Sequence, residues 1–282
     1  MNLENTIRRA SQILKNHNIH SHELDAQIIL ANIIGVKRES LIINNEINIS
    51  EKIMKKYDIA IKRRTNSEPI AYIIGKKEFW SQDFLVNRAT LVPRPETELL
   101  IYKVINLFKN KRINVLDIGT GSGCILLSIL KELKLSRGTG IDISAKAIQT
   151  AKLNSKNFNL LNRSKFIVSN IDKYNTGKYD LIVSNPPYIP SKDIKNLSKD
   201  IIDYEPKISL DGGLNGLDLI KKVIYKSKYL LKRNGILSLE IGRQQNQKVS
   251  SILKFHGFRE MSKEYDYNRN VRCIISANVR FF

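Results

Sequence analysis

Asn114-Val115-Leu116-Asp117-Ile118-Gly119-Thr120-Gly121-Ser122-Gly123-Cys124 is the stretch that decides how this chain folds. A short apolar run passes into three glycines at alternate positions, and Ile125-Leu126-Leu127 then opens an apolar helix. Such runs are strands buried on both faces. Glycines at the strand end permit a tight turn into the helix and let a ligand approach the backbone, while the free amides of the helix start favour an anion such as an amino-acid carboxylate. The spacing G-x-G-x-G differs from the dinucleotide fingerprint G-x-G-x-x-G, and the loop does not end in the Gly-Lys-Ser/Thr of a phosphate loop, so pyrophosphate is disfavoured. The candidate ligand contacts here are Asp117, Gly119, Thr120, Gly121, Ser122 and Gly123.

Strand and helix alternate from this point on, the pattern of a parallel sheet covered by helices. The expected strands are residues 114–118, 138–143, 165–168, 179–184, 235–241 and 271–277, and the expected helices are 124–133, 145–157 and 217–231. Asp142 ends the second strand, at the offset where such folds bind a ribose hydroxyl pair. Its plainer use is to cap the helix that follows Ser144. Asn170 and Asp172 follow the third strand at the same sheet edge, and one of the two is expected to reach an adenine. Spacing does not choose between them.

The fourth strand runs into Asn185-Pro186-Pro187-Tyr188. A carboxamide nitrogen is a poor nucleophile because its lone pair is delocalised into the carbonyl. A site that alkylates it must hold both N–H groups and aim the nitrogen. The Asn185 side-chain oxygen can accept one N–H and the Pro186 carbonyl the other. The two prolines fix the backbone and add no competing donor. Tyr188 is expected to lie against the planar acceptor or to turn its ring toward a sulfonium. Displacement at a sulfonium methyl needs alignment and no strong base, consistent with the lack of a catalytic His or Cys constellation.

Before residue 76 the apolar residues recur at helical spacing (Leu3, Ile7, Ala10, Leu14; Leu24, Ile28, Ile29; Ile53, Tyr57, Ile61), which predicts a small helical domain over residues 1–75. Ser21 and Ser50 are candidate helix caps. Phe79 to Val86 reads as extended, and Pro93 and Pro95 exclude a regular helix, so residues 76–95 are expected to form a linker and 96–282 the sheet domain.

The 282 residues carry a formal net charge of +20, which raises a nucleic-acid reading. The lysines are scattered along helices rather than gathered in a block, and the abundance of Lys, Asn and Ile is what an A/T-biased genome would produce. A weak ribosome or RNA contact through the basic surface stays open. Cys124 and Cys273 are far apart and read as small core residues. His17, His20 and His22 lack a cysteine partner, so no metal is expected. With no apolar run of membrane-spanning length and no secretory leader in MNLENTIRRASQ, a cytoplasmic monomer with no membrane contact is expected.

Together with DIGTGSG and NPPY, further pieces make the chain resemble the class I S-adenosylmethionine methyltransferases. Within them it is similar to the release-factor glutamine methyltransferases, the PrmC or HemK family. Those pieces are Glu68-Pro69-Ile70-Ala71-Tyr72-Ile73-Ile74-Gly75, Arg94-Pro95-Glu96-Thr97-Glu98, Tyr204-Glu205-Pro206, Gly213-Leu214-Asn215-Gly216-Leu217 and Glu240-Ile241-Gly242. The resemblance implies an α/β fold with a doubly wound, seven-stranded, mostly parallel sheet, behind a small all-helical N-terminal domain that docks substrate and a hairpin-like linker. It implies S-adenosyl-L-methionine as cofactor, contacted by Gly119 to Gly123, Asp142, Asn170 and Asn185. The implied substrate is the Gly-Gly-Gln glutamine of class I peptide chain release factors, gripped by Asn185, Pro186, Pro187 and Tyr188. The alternative is a methyltransferase for an exocyclic amine of a nucleic-acid base, which presents a similar planar N–H pair. A non-catalytic RNA- or ribosome-binding module is a third reading, which the intact NPPY disfavours.

Overall fold

The computed structural model describes residues 3–43 and 49–279, and it divides them into two compact units. The first holds the described residues up to Lys76 together with Ser198–Tyr204, and the second holds Lys77–Leu197 and the described residues from Glu205 onward.

The first unit is helical: α1 (Leu3–Asn16), α2 (His22–Ile34), α3 (Arg38–Ile43), α4 (Glu51–Thr65) and α5 (Ile70–Ile74), joined by one turn of helix at Lys199–Ile202. Its core includes Leu3, Leu14, Ile29 and Tyr57 from the helical spacing seen in the sequence, together with Leu30; Leu24, expected on the same face, is exposed. The Tyr57 hydroxyl, buried among them, donates to the Ala26 carbonyl at 2.9 Å, so the phenol is not left unpaired. Ser50 caps α4, accepting from the Ile53 N–H at 3.4 Å. Ser21 does not cap α2. Its ψ of 26° departs from the extended geometry that turns a cap hydroxyl onto the first helical amides. Arg64 pairs with Asp25 at 2.7 Å, and the Tyr204 hydroxyl donates to the Asn66 carbonyl at 2.9 Å, tying the 198–204 segment to this unit.

The second unit opens with the strand pair β1 (Lys76–Phe79) and β2 (Gln82–Leu85). Its large sheet contains β3 (Asn114–Ile118), β4 (Arg137–Asp142), β5 (Ser164–Val168), β6 (Tyr179–Ser184), β7 (Leu231–Glu240), β8 (Phe258–Tyr265) and β9 (Val271–Asn278). Covering helices are α6 (Glu98–Phe108), α7 (Cys124–Glu132), α8 (Ala145–Asn157), α9 (Asp218–Leu230) and α10 (Asn246–Phe255). The strand order is β5-β4-β3-β6-β7-β9-β8, with β5 to β7 parallel and β9 antiparallel to both neighbours. One apolar layer, with Leu126, Ile129 and Leu181, covers one face, and a second, with Ile182, Ile220 and Leu237, covers the other. This is the doubly wound α/β fold expected from the alternation and the resemblance.

Three elements were not picked out by periodicity: β8, α6 and α10. In β8, Phe-Arg-Glu-Met-Ser-Lys-Glu-Tyr alternates poorly because the strand is an edge, buried only at Phe258. The segment expected as a linker packs into the second unit. Phe79 and Phe84 join its core, and Asn154 on α8 bonds both the Leu85 N–H (2.8 Å) and the Leu85 carbonyl (3.0 Å).

The chain runs β3, β4, β5 toward one edge and then returns to place β6 beside β3. That reversal opens a crevice at the carboxyl ends of β3 and β6, the place where open α/β sheets bind ligands. Both motifs singled out in the sequence end there.

Candidate active site

The crevice is a cavity of about 690 Å³, lined by residues from the ends of β3, β4, β5 and β6 and by the segments around Ala89–Thr97 and Pro206–Gly213. That size suits a small-molecule cofactor with part of a substrate beside it.

The glycine turn forms its floor. Gly119 and Thr120 N–H groups both donate to the Ile141 carbonyl, at 2.9 and 3.0 Å, which folds the turn back against β4. Gly119 and Gly121 have φ of +74° and +55°, and a Cβ on either would stand in open space. The backbone here borders the cavity without packing against the protein, so the absence of side chains serves a ligand rather than the packing of the protein. Ser122 and Thr120 also line the cavity. Gly123 does not. It is the αL cap of α7, where a Cβ would come within 3.1 Å of Leu127 and 3.2 Å of Ala151.

Asp117 stands behind the turn, fully buried, and is outside the lining. The Thr120 hydroxyl donates to its Oδ2 at 2.6 Å, and burial raises its pKa to about 7. Its work is to hold the turn from beneath. Asp142 lies at the cavity, with Oδ2 accepting from the Gly121 N–H and Oδ1 from the Ser144 N–H, both at 2.9 Å. The helix cap proper is Ser144, whose hydroxyl accepts from Ala147 N–H at 3.2 Å. Each carboxylate oxygen keeps a lone pair for a hydroxyl donor. Ile143, 54% exposed although apolar, flanks the same wall.

Asn170 lines the cavity and Asp172 does not. The Asn170 oxygen accepts from the Asp172 N–H at 2.9 Å, which leaves its NH2 for a ligand, whereas the Asp172 carboxylate pairs with Lys222 at 2.7 Å on the surface.

Asn185, Pro186 and Pro187 line the cavity next to the glycine turn, since Ser184 and Ile118 pair at the ends of β6 and β3. Asn185 donates through Nδ2 to Thr97 Oγ1 at 3.2 Å, and among the described residues its oxygen has no hydrogen-bond partner. Tyr188 departs from its expected place against the acceptor. Its ring is outside the lining and sits 5.4 Å from the Arg272 guanidinium, with the hydroxyl accepting from Arg272 at 3.0 Å and donating to Glu240 at 3.4 Å. A cation and a buried carboxylate offer the phenol a better environment than the mouth of a cavity, and burial raises its pKa to about 12.

The turn is braced from behind. Gln245 donates to the Tyr188 carbonyl at 2.9 Å and the Gly216 carbonyl at 3.1 Å, and accepts from the Gly242 N–H at 2.8 Å. Gly216 has φ +69°, and a Cβ there would lie 2.2 Å from the Tyr188 carbonyl oxygen. Gly216→Ala is therefore expected to destabilise the second unit by roughly 3 kcal/mol through combined left-handed strain and overlap, read as a lowered melting temperature.

Arg94 and Cys124 also line the cavity and were given no site role from sequence; Cys124 is only half-buried, a correction to its reading as a core residue. Arg94 is held by Glu205 at 2.6 Å, joining two of the quoted motifs across 111 residues. Among the described residues, no group of three or more His, Cys, Asp or Glu side chains could hold a metal, and no helix is long and apolar enough to cross a membrane.

A glycine turn, an acid on the adjacent strand and an Asn-Pro-Pro turn, gathered where a seven-stranded sheet reverses its order, define a class I S-adenosylmethionine-dependent methyltransferase. A methyltransferase from Pyrococcus furiosus shares the fold, with a TM-score of 0.53 at 17% identity over 70% of this chain and 89% of that one. Residues 5–75 match the PrmC N-terminal domain and residues 95–214 the methyltransferase small domain. The release factor glutamine methyltransferase of Clostridium acetobutylicum is 37% identical over 98% of this chain and 99% of its own. That of Buchnera aphidicola subsp. Schizaphis graminum is 38% identical over 96% and 98%. The chain belongs to the release factor glutamine methyltransferase family. Its cofactor is S-adenosyl-L-methionine, and the open glycine cradle, the Asp142 carboxylate and the free Asn170 amide fit that molecule's amino-acid, ribose and adenine parts.

Proposed function

We propose that this enzyme methylates the side-chain amide nitrogen of the glutamine in the Gly-Gly-Gln motif of class I peptide chain release factors. The observation that carries the reading is the Asn185 oxygen, which has no partner among the described residues and lies with Pro186 in the cavity that the glycine turn also lines. The Asn185 oxygen and the Pro186 carbonyl each accept one amide N–H, which fixes the plane of the glutamine and discourages lone-pair delocalisation as the new bond forms. S-adenosylmethionine supplies a methyl on a sulfonium, a good leaving group. Gly119, Thr120, Gly121, Ser122, Asp142 and Asn170 would hold that cofactor, which would supply the methyl group to the amide nitrogen held by Asn185 and Pro186. Asp117, Gly123 and Tyr188 act at one remove, by holding the glycine turn, opening α7 and bracing the tetrapeptide.

The helical unit docks the body of the release factor, and the reaction takes place in the cytoplasm, where translation ends. The enzyme acts as a monomer, and the +20 charge gives at most weak contact with RNA. The relatives do not favour the nucleic-acid alternative.

Labelled S-adenosylmethionine tests this reading when offered with release factor, with nucleic acid, or with neither. Label is expected in release factor alone, and label in nucleic acid would overturn the reading. Removing residues 1–75 is expected to spare cofactor binding but to impair methylation of intact release factor; equal activity would rule out docking by the helical unit.

A further inference from the structure

Two sequence pieces touch neither the methyl acceptor nor the cofactor in this scheme: Thr97 in Arg94-Pro95-Glu96-Thr97-Glu98, and Glu240 at the end of β7. They meet behind Asn185. Asn185 Nδ2 donates to Thr97 Oγ1 at 3.2 Å, and the Thr97 hydroxyl donates to Glu240 Oε2 at 2.7 Å. Thr97 is 2% exposed and Glu240 1%. The second Glu240 oxygen accepts from Tyr188 at 3.4 Å and lies 3.8 Å from Arg272.

A hydroxyl has one proton to give. Once Thr97 gives it to a carboxylate, Thr97 can only accept from Asn185, so Asn185 must turn its NH2 to Thr97 and leave its oxygen for the substrate. The reversed amide would set NH2 against the NH2 of a glutamine, donor against donor. We propose that Thr97 and Glu240 are positioning residues: ionised Glu240 orients the Thr97 hydroxyl, which locks the Asn185 amide with its oxygen toward the acceptor nitrogen. This rests on the reading of Asn185 as the residue that holds the acceptor.

The lock depends on protonation. A neutral Glu240 carries its own proton and donates it to Thr97, whose hydroxyl then donates to the Asn185 oxygen, reversing the chain and withdrawing the acceptor. Burial raises Glu240 to about 7, with Thr97, Arg272 and Tyr188 opposing and Glu96 adding. The charged and titratable groups that face it are Arg272 and Cys273 on β9, Tyr188 after β6, Glu96 beside Thr97 and Cys124 at the start of α7. The orienting form is the anion, so turnover rises with pH. At pH 6 about a tenth of the enzyme is competent, and kcat should be about tenfold below its value at pH 8.

Kinetics of the full chain with intact release factor, between pH 6 and 9, test the lock. Thr97→Val, which keeps the shape and removes the hydroxyl, is expected to lower kcat roughly 10- to 100-fold while cofactor affinity and the KM for release factor stay within about threefold. Thr97→Ser should restore most of the loss. Glu240→Gln should abolish the inflection near pH 7. A Thr97→Val enzyme with normal kcat, a Thr97→Ser enzyme as impaired as Thr97→Val, or an inflection that survives in Glu240→Gln would each overturn the proposal. The Gln variant's profile is independent of how well Thr97→Val folds. A wild-type enzyme that labels no release factor would instead overturn the substrate reading beneath it.

Discussion

Asn185→Ala is expected to reduce kcat roughly 100- to 1000-fold, the loss typical when one pre-set hydrogen-bonding group is removed from a transition state. The side chain is fixed on one side by Thr97 at 3.2 Å and presents only its oxygen on the other. Losing it frees one amide N–H and lets the glutamine plane swing, so the nitrogen no longer lines up with the methyl. Affinity for S-adenosylmethionine should change far less, because the groups proposed to hold it, Gly119 to Ser122 after β3 and Asp142 at the end of β4, are left in place. Isothermal calorimetry beside single-turnover kinetics separates the two effects. Equal losses in both would make Asn185 chiefly a cofactor contact.

Asp142→Ala should show the opposite split. The carboxylate makes two bonds to backbone N–H groups, at 2.9 Å each, and its remaining lone pairs suit the two ribose hydroxyls. Hydrogen bonds to a charged group contribute about 1.5–3 kcal/mol each, so cofactor affinity should fall roughly 100-fold or more. The Gly121 amide also loses its anchor, which loosens the cradle. Turnover at saturating cofactor should be reduced much less than in Asn185→Ala. Unchanged affinity by calorimetry would refute the ribose assignment.

Much of the fold was legible because strands buried on both faces write themselves as short apolar runs: the parallel β3, β4 and β6 with the turns that follow them, and the antiparallel β9, stand out in single letters. Two of the three missed elements, β8 and α6, have a plain physical cause. The strand β8 is an exposed edge, and its polar, weakly alternating residues look like loop. The helix α6 follows directly on a Pro-bracketed segment, so the breaker masked the start of Glu98–Phe108.

The candidate site was legible as motifs but not as geometry. Asn170 and Asp172 look equivalent in sequence, and only the Lys222 pair, 50 residues away, draws Asp172 to the surface. Tyr188 was expected in the cavity because it adjoins Asn-Pro-Pro, yet Arg272, 84 residues on, holds it outside. The link from Asn185 to Thr97 and Glu240 spans 88 and 143 residues in its two bonds, a separation that no local pattern encodes. The signal was present in the quoted Arg-Pro-Glu-Thr-Glu and Glu-Ile-Gly pieces, without a chemistry to attach to it.

Fragment mass mapping of release factor after exhaustive reaction with labelled cofactor is the most direct check that two oxygens grip one flat NH2 group. The grip predicts a single methyl on the amide nitrogen of the Gly-Gly-Gln glutamine, since a monomethylated nitrogen no longer offers both N–H groups. Two methyls on that nitrogen, or label on any other residue, would contradict it.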